Sequence, residues 1–217
     1  MSDLLACLVD GEAVSTVPAA DRGLQYGDGV FTTVAVRDAR PLLWERHLQR
    51  LRRDAGRLRI APPADTVLRS EVERLCRGAT CAALKIQLTR GADGRGYRPS
   101  HHAPARRILT LWRRAAPTPA AHDGIALCLC NTRLSRNPAL AGVKHLNRLE
   151  QVLARGEWGD DFAEGLMQDA DGAVIEGTMS NLFLVRDGGL LTPDLSACGV
   201  AGVMRDVVLE RAQALKI

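Results

Sequence analysis

The sequence predicts an α+β fold in two domains, and three observations support that prediction. Segments rich in β-branched or alternating apolar residues, such as VFTTVAV (30–36) and CAALKIQLT (81–89), are typical of strands. The arginine-rich segment from Trp44 to Leu58 repeats its apolar residues at the spacing of an amphipathic helix. A stretch rich in Pro and Ala then acts as a linker (116–124) between a first domain (1–115) and a second domain (125–217).

The composition excludes several classes of protein. The chain has 217 residues, 46% hydrophobic and 25% charged, as in ordinary globular proteins. No apolar run is long enough to span a bilayer, and the N-terminus lacks the basic region of a signal peptide, so we expect no membrane association. Six cysteines without a C-x-x-C pair favour a reduced, cytoplasmic setting, and their spacing to the histidines predicts no metal site. A net charge of +4 with few aromatic residues gives no support for nucleic-acid binding.

The first domain is predicted to begin with a hairpin, because the turn-forming Asp10-Gly11 separates two segments that can pair. Pro62-Pro63 then separates two amphipathic helices. In order, the patterns predict strands at 4–9, 12–17 and 30–36, a returning segment at 41–43, helices at 44–58 and 65–77, and strands at 81–89 and 107–113.

The second domain is predicted to contain short strands and two helices. Its first helix carries an apolar stripe and is closed by Gly156, and Asp171-Gly172 forms a hairpin turn. The patterns predict strands at 125–130, 165–169, 173–175, 181–186 and 190–192, and helices at 145–156 and from 203 to the end. Because the last helix ends on apolar Leu215 and Ile217, we expect that this domain is incomplete and that a C-terminal segment is lacking.

Lys144 is the leading candidate for a reactive group. Only three of the 29 cationic residues are lysines, and this one stands at the entrance of a predicted helix. A lysine can lose its proton and attack a carbonyl, whereas arginine stays protonated. Considered by its spacing alone, Lys144 is better explained as an ordinary solvated lysine.

Four further motifs have an ordinary explanation when each is considered alone. EGTMSNLFLV (176–185) offers one carboxylate and several neutral hydrogen-bonding groups, or is simply a turn before a strand. CGVAGVMRD (198–206) leads with glycines into a helix whose first N–H groups can bind a phosphate. Arg50 and the loop segment GRGY (94–97) resemble ordinary surface features. Together, an amine, an acid, an arginine and a phosphate-binding helix start are what pyridoxal 5′-phosphate requires, so we predict this cofactor.

The same motifs also carry a resemblance to a known family. DRGLQYGDGVFTT, ERHLQRL, TRGADGRGY, NPALAGVKHLNRLEQVLAR, EGTMSNLF and TPDLSACGVAGVMRD resemble, in this order, the fold-type IV pyridoxal-phosphate enzymes. That family includes branched-chain and D-amino acid aminotransferases and 4-amino-4-deoxychorismate lyases. GRGY and NPALAGVKHLNRLEQVL are more similar to the lyases than to the aminotransferases. The resemblance implies the two-domain architecture of this family and a homodimer.

The resemblance also implies roles for individual residues. Lys144 would be catalytic and form the Schiff base with the cofactor, and Glu176 would pair with the pyridine nitrogen. The other cofactor contacts would come from Arg50, Ser180, Asn181, Val203 and Met204. The substrate would be bound by Phe31, Thr32, Arg95 and Tyr97.

The predicted function is conversion of 4-amino-4-deoxychorismate to 4-aminobenzoate and pyruvate, a step of folate biosynthesis. One alternative is a D-amino acid or branched-chain aminotransferase, which would use the same Lys144 but needs a keto-acid substrate. The second alternative is a pyridoxal-phosphate-binding protein without turnover. The similarity of GRGY and NPALAGVKHLNRLEQVL to the lyases favours the first of these three.

Overall fold

The computed structural model describes residues 3–92, 96–99, 104–114 and 124–217, and it divides the chain into two units. The first unit comprises Met1–Pro117 and Lys144–Asn147, and the second comprises Thr118–Val143 and Arg148–Ile217. The short segment that carries Lys144 therefore belongs to the first unit, although it is distant from the rest of that unit in sequence. The predicted linker 116–124 lies outside the described residues, except for Gly124.

The first unit is built on a five-stranded antiparallel sheet in the order β1-β5-β4-β2-β3. Its strands are β1 (Leu4–Val9), β2 (Gly29–Arg37), β3 (Arg40–Pro41), β4 (Cys81–Thr89) and β5 (Arg106–Arg113). Because side chains alternate along a strand, the apolar residues of β4 at even positions share one face, where Leu84, Ile86 and Leu88 are fully buried. The other face of the sheet carries the odd-numbered positions of these strands, which include Lys85 of β4 and Phe31 of β2.

Three helices complete the first unit: α1 (Arg22–Tyr26), α2 (Trp44–Arg57) and α3 (Asp65–Cys76). Helix α2 packs on β2, and α3 packs on β1, β3 and β5. Of the four positions that the apolar spacing predicts to face inward, Leu48, Leu51 and Ala55 are buried, whereas Leu58 follows the last residue of α2 and is only half-buried.

The second unit contains a three-stranded sheet, a two-stranded ribbon and two helices. In the sheet, β6 (Leu127–Leu134) runs parallel to β7 (Glu164–Asp169), which pairs antiparallel with β8 (Val174–Gly177). The ribbon pairs β9 (Leu184–Arg186) with β10 (Gly189–Leu191), and the helices are α4 (Leu149–Arg155) and α5 (Val203–Leu215). Helix α4 packs on β6 and β7 around a core that includes Cys130, Trp158 and Met167.

Three local predictions were wrong. Residues 12–17 form no strand, because β1 pairs along its length with β5 and keeps only a single bridge to Glu12. Residues 22–26, for which no helix was predicted, form α1, where Asp21 caps the helix by accepting a hydrogen bond from Gly23 N–H. Helix α4 begins at Leu149 rather than at residue 145.

Within the described ranges, no helix is both long and apolar enough to cross a bilayer.

Candidate active-site residues

Lys144 is held in an extended segment that lies beside β2 in the first unit. Phe31 N–H donates to the carbonyl oxygen of Lys144 over 2.9 Å, and Leu146 N–H donates to the carbonyl oxygen of Gly29 over 2.9 Å. The pair Val30 and His145 forms an antiparallel bridge between these two hydrogen bonds. This pairing explains why helix α4 starts later than its apolar periodicity predicts, since the Lys144 carbonyl and the Leu146 N–H are bonded to β2 instead of to a helix.

Asp54 fixes the other side of the Lys144 backbone. Its Oδ2 accepts a hydrogen bond from Lys144 N–H over 3.0 Å, and its side chain is only 1% exposed. Oδ1 of the same carboxylate receives a bond from the neighbouring Arg53 over 3.1 Å. Asp54 was not predicted to belong to the site, because an acid within an arginine-rich helix is usually a solvated ion-pairing residue.

The amine of Lys144 lies against an aromatic ring. Its Nζ is 4.6 Å from the centre of the Phe31 ring, a distance typical of a cation–π contact. Phe31 was predicted to contact the substrate, and the structure brings it next to the predicted catalytic amine. The Lys144 backbone is bonded to β2 and Asp54, and its side chain lies against Phe31. These contacts together restrict the position of the amine.

Arg50 lies on α2 and reaches the opposite side of β2. Its Nη2 donates to Thr32 Oγ1 over 2.5 Å, and Thr32 Oγ1 lies 2.7 Å from Nδ1 of His47. Arg50 and Thr32 are 6% and 1% exposed. Burial and the nearby charge of Arg50 lower the pKa of His47 to about 4, so its ring is neutral at pH 7. We assign Thr32 as the donor to Nδ1, because a hydroxyl that accepts from Arg50 still has one proton to give.

This arrangement changes the interpretation of Thr32. Phe31 and Thr32 are consecutive in β2 and therefore face opposite sides of the sheet. Thr32 uses its hydroxyl on Arg50 and His47, so the structure makes it a partner of Arg50 rather than a surface open to a substrate. The sequence analysis had assigned it to substrate binding and had given His47 no role.

The loop predicted to bind substrate is described only in part. Arg95 lies outside the described residues. Tyr97 is 85% exposed, and its ring meets that of Tyr26 edge-on at 5.4 Å. The buried guanidinium of Arg22 donates to the carbonyl oxygens of Gly96 over 2.8 Å and Tyr97 over 3.2 Å, which ties this end of the loop to α1.

Glu176 and Asn181 hold one backbone segment of the second unit from two sides. Oε2 of Glu176 accepts a hydrogen bond from Val200 N–H over 2.8 Å, and Nδ2 of Asn181 donates to the carbonyl oxygen of Val200 over 2.8 Å. Glu176 is 4% exposed. The negative charge of Glu176 also attracts the guanidinium of Arg148, whose pKa is nevertheless lowered because burial is the larger effect. The predicted acid is thus buried beside the loop that leads into α5.

Ser180 belongs to a different cluster, which is organised by Glu164. The carboxylate of Glu164 accepts five hydrogen bonds, from the N–H groups of Gly165, Thr178 and Met179 and from the hydroxyls of Thr178 and Ser180. Burial raises the pKa of Glu164, but these hydrogen bonds outweigh it and hold the pKa below its usual value. The sequence analysis missed Glu164, because an acid at the start of a strand carries no distinctive local pattern.

Helix α5 begins as the sequence predicted, directly after Gly202. Gly202 at its N-cap has no side chain to cap the helix, and the first N–H groups of a helix have no intrahelical partner. A Cβ on Gly202 would collide with Oδ1 of Asn181, which explains the glycine at this position. Val203 is buried and Met204 is 59% exposed. We therefore expect both residues to contact the cofactor phosphate through their backbone N–H groups rather than their side chains.

Each unit supplies chemical groups of the kinds that bind pyridoxal 5′-phosphate. The first unit supplies a primary amine on Lys144 and a buried guanidinium on Arg50. The second unit supplies a buried carboxylate on Glu176 and an uncapped helix start at Gly202. An amine can bind the aldehyde, cations and helix N–H groups can bind the phosphate, and a carboxylate can pair with the pyridine nitrogen. Elsewhere in the described ranges, no group of three or more His, Cys, Asp or Glu residues could hold a metal ion.

Comparison with known proteins decides the family. The model of the amino-transferase class IV family matches residues 29–217, which is most of the chain. The chain belongs to this class IV family. The family assignment and the mixed α/β architecture predicted from the motifs are therefore confirmed.

Within class IV, several relatives of this chain are lyases. An aminodeoxychorismate lyase of Vibrio harveyi is 40% identical over 209 residues, covering 95% of this chain and 77% of the relative. The crystal structure of 4-amino-4-deoxychorismate lyase from Pseudomonas aeruginosa has 49% sequence identity and a TM-score of 0.86, and the match covers 96% of this chain and 78% of that one. A hypothetical aminotransferase from Mycobacterium tuberculosis in its PLP-bound form has 25% identity and a TM-score of 0.77, covering 96% and 78%.

Proposed function

We propose that this protein is a pyridoxal-phosphate-dependent lyase that converts 4-amino-4-deoxychorismate to 4-aminobenzoate and pyruvate, as in folate biosynthesis. The observation that carries the proposal is the anchoring of Lys144, whose backbone is bonded to β2 and Asp54 and whose amine lies at Phe31. The 40% and 49% identity to two lyases, each over 95% or more of the chain, favours the lyase reaction over transamination.

The proposed chemistry is a proton transfer by Lys144. When bound, pyridoxal phosphate withdraws electrons from the substrate carbon that bears the amine, so that this carbon can lose its proton. The amine of Lys144 takes that proton as a general base. The electron pair left on the ring then expels the enolpyruvyl group by cleavage of the ring C–O bond, which makes the ring aromatic. Lys144 delivers a proton to the methylene carbon of the departing enolpyruvate, and this proton transfer yields pyruvate.

The remaining assigned residues would bind and orient. Before the substrate binds, Lys144 would also hold the cofactor covalently through its amine, and displacement by the substrate's own amine would free it to act as the base. Arg50 and the N–H groups of Val203 and Met204 would bind the phosphate, and Glu176 would keep a proton on the pyridine nitrogen. Ser180 and Asn181 would act as supports, since their side chains are bonded to Glu164 and to the Val200 backbone. Arg95, Tyr97 and Phe31 are the proposed substrate contacts.

The decisive experiment measures pyruvate and 4-aminobenzoate released from 4-amino-4-deoxychorismate by the purified chain with added pyridoxal phosphate. We expect release by the wild type and by Lys216→Ala, which removes an exposed lysine. Lys144→Ala should reduce turnover by at least about a thousandfold, because it removes the amine that both holds the cofactor covalently and transfers the proton. Normal turnover by Lys144→Ala would show that the assignment of this lysine is wrong.

Two alternatives predict different outcomes for the same preparation. The class IV family match also allows an aminotransferase, and the PLP-bound aminotransferase from Mycobacterium tuberculosis shares this fold. An aminotransferase would convert bound cofactor to the amine form with D-alanine or a branched-chain amino acid. A binding protein without turnover would show the absorbance of lysine-bound cofactor but release no product from any of these substrates.

A homodimer and a cytoplasmic location complete the proposal. Several large apolar side chains are more than 60% exposed, including Leu24, Leu149 and Leu153, and exposed apolar surface is typical of protein interfaces. In the described ranges all six cysteines are free thiols, which supports a reducing compartment. Sedimentation velocity of the cofactor-loaded chain would measure whether two copies associate.

A further inference from the structure

Asp28 joins two buried arginines of the first unit into one cluster. Its Oδ2 accepts hydrogen bonds from Nε of Arg22 over 2.9 Å and from Nε of Arg90 over 2.8 Å. Its Oδ1 accepts a further bond from Nη2 of Arg90 over 3.1 Å. Because both arginine side chains are buried, this cluster lies inside the unit rather than on its surface.

Arg90 anchors the cluster to the end of helix α2. Its Nη1 donates to the carbonyl oxygen of Arg59 over 2.9 Å, and its Nη2 donates to that of Leu58 over 2.7 Å. Leu58 is the C-cap of α2, where carbonyl groups lack intrahelical partners, so Arg90 supplies the missing donors. The cluster is therefore fixed on one side to regular structure.

Arg22 extends the other side of the cluster to the loop that carries Tyr97. Its Nη1 donates to the carbonyl oxygen of Gly96 over 2.8 Å, and its Nη2 donates to that of Tyr97 over 3.2 Å. One planar guanidinium thus binds two consecutive carbonyl groups, which a lysine ammonium cannot do with the same geometry. The Arg22 guanidinium also lies 4.9 Å from the centre of the Tyr26 ring, which is the ring that meets Tyr97 edge-on.

Asp28 sets the orientation of the Arg22 guanidinium. Burial raises the pKa of the Asp28 carboxyl, but the hydrogen bonds and charges of Arg90 and Arg22 outweigh this effect and hold the pKa below its usual value. The carboxyl group is therefore ionised at neutral pH and can accept from both arginines. With Nε of Arg22 bonded to Asp28, both Nη atoms are directed at the loop.

The start of β2 links this cluster to the segment that carries Lys144. Asp28 directly precedes Gly29 of β2, whose carbonyl oxygen accepts a hydrogen bond from Leu146 N–H over 2.9 Å. Leu146 lies two residues after Lys144. The loop with Tyr97 and the segment with the proposed catalytic amine are therefore both anchored at the start of one strand.

Stability alone does not account for the buried Arg22–Asp28 pair. Buried ion pairs contribute little net stability, and apolar residues of similar size often replace them without loss. Tyr97 is 85% exposed, so packing around its side chain contributes little to its position. The hydrogen bonds from Arg22 to the loop backbone consequently have a larger share in placing this residue.

We propose that Arg22, oriented by Asp28, is a positioning residue that holds Tyr97 in place for contact with the substrate. This inference rests on the proposed lyase function, in which Tyr97 is a substrate contact. Arg22 acts through the loop backbone and does not touch the reacting atoms. Its loss should therefore weaken substrate binding more than it slows the chemical step.

The test compares two substitutions of Arg22 with a matched control. Arg22→Met removes every hydrogen bond, whereas Arg22→Lys keeps a cation beside Asp28 without the planar group. Arg69→Met is the control, because Arg69 also pairs with one carboxylate, Glu45, and lies over an aromatic ring, but is exposed. KM and kcat for 4-amino-4-deoxychorismate are measured on the cofactor-loaded chains, and chymotrypsin measures the rate of cleavage after Tyr97.

We expect Arg22→Met to raise KM at least about fivefold and to change kcat by less than about twofold. Cleavage after Tyr97 should be at least about fivefold faster, because the loop backbone is no longer held. Arg22→Lys should restore the melting temperature but not KM, and Arg69→Met should match the wild type in KM and cleavage. If Arg22→Met does not fold, Arg22→Lys replaces it and should raise KM in the same direction.

A double-mutant cycle shows whether Arg22 acts through Tyr97. Tyr97→Phe removes only the hydroxyl group and should itself raise KM. Adding the Arg22 substitution to Tyr97→Phe should raise KM by less than about a further twofold, because the contact that Arg22 positions is already lost. If the two effects on KM multiply instead, Arg22 does not act through Tyr97 and the proposal is overturned.

Each contrary result has a separate meaning. If the wild type releases pyruvate and Arg22→Met keeps the wild-type KM and cleavage rate, the role of Arg22 is overturned while the lyase function stands. If Arg22→Lys restores KM together with stability, Arg22 is a structural cation and the positioning role is again overturned. If the wild type releases no pyruvate and instead transaminates D-alanine, the lyase function fails, and the substrate role of Arg22 fails with it.

Discussion

At the scale of the single residue, Glu164 shows how one carboxylate can organise a turn that no local pattern identifies. Its oxygens accept five hydrogen bonds, which fix residues 178–180 next to the predicted cofactor acid Glu176. An ionised acceptor suits this position, because all of its neighbours are donors. Glu164→Gln replaces one acceptor oxygen with a donor NH₂ and should lower the free energy of unfolding by about 3 kcal/mol at pH 7.

The pH dependence follows from the pKa of Glu164, which the hydrogen bonds hold below its usual value of 4.5. The stabilisation is complete above the pKa of the unfolded chain and is lost as the pH falls through the lower pKa of the folded chain. Urea unfolding should therefore give a full difference between wild type and Glu164→Gln at pH 7 and a smaller one below about pH 4. Glu73→Gln, at an exposed position of α3, should change stability by less than about 0.5 kcal/mol. A constant difference at all pH values would contradict this account.

Individual residues also differ in how readily the sequence marks them as candidates. Lys144 and Glu176 could be selected because a rare lysine and a motif-borne acid stand out in the printed sequence. Asp54 and His47 could not, because their importance comes from partners distant in sequence: Asp54 meets Lys144 N–H, and His47 meets Thr32. Helix periodicity predicts which face is buried, but it does not say which polar side chain on that face will bond to another element.

At the scale of the element, α2 and β2 form a polar contact within an otherwise apolar interface. Arg50, Thr32 and His47 are linked by hydrogen bonds, and this chain of bonds orients the proposed phosphate-binding arginine. The contact requires neutral His47, because a charged ring beside the Arg50 guanidinium would be repelled. Burial and that charge together lower the pKa of His47 to about 4.

This junction predicts a loss of stability in mild acid. The unfolded chain binds a proton at His47 near pH 6.5, whereas the folded chain does so only near pH 4. The stability that neutral His47 contributes is thus complete above pH 6.5. It should fall by about 2 kcal/mol as the pH drops to 4. This loss is smaller than the full pKa shift implies, because the ring is only half-buried. His47→Asn keeps an acceptor for Thr32 but cannot titrate, so its unfolding free energy should change less between pH 6.5 and 4.5. If the unfolding free energies of the wild type and His47→Asn changed equally over this pH range, the assignment of the pH dependence to His47 would be wrong.

The two ends of α4 show why element boundaries were predicted unequally well. Gly156 ends the helix as expected, since its N–H bonds back to the carbonyl oxygens of Val152 and Leu153. The start was misplaced, because the apolar spacing of Leu146 and Leu149 continues across a change from extended to helical backbone. Leu149, Val152 and Leu153 are all more than 60% exposed in this structure, so their periodicity does not reflect burial within the described chain.

At the scale of the whole molecule, the first unit is completed by a segment from far along the chain. Residues 144–147 follow the second unit's β6 in sequence but pair with β2 of the first unit. No local signal in the sequence could assign four residues to a sheet more than a hundred positions away. The proposed catalytic lysine consequently depends on a long-range contact, and its placement should be sensitive to changes on β2 that leave Lys144 itself intact.

Gly29 provides the sharpest test of that dependence. A Cβ at this position would lie 2.5 Å from the carbonyl oxygen of Leu88 and 2.6 Å from Cδ1 of Leu146, so no side chain fits between β4 and the returning segment. Gly29→Ala should push Leu146 away from β2, weaken its hydrogen bond to the Gly29 carbonyl and lower the free energy of unfolding by about 2–3 kcal/mol. Because Lys144 lies two residues before Leu146, the absorbance of lysine-bound cofactor should also decrease.

Gly56→Ala is the matched control, since a Cβ there meets nothing within 4 Å and the residue lies near the end of α2. That substitution should leave cofactor binding unchanged and raise stability by about 0.5–1 kcal/mol, because alanine favours helix more than glycine does. If Gly29→Ala lowered stability but left the cofactor absorbance and turnover at wild-type values, the strand pairing would support only the fold. If Gly29→Ala lowered stability and also reduced the cofactor absorbance and turnover, while Gly56→Ala reduced none of them, the pairing with β2 would be shown to place the Lys144 amine.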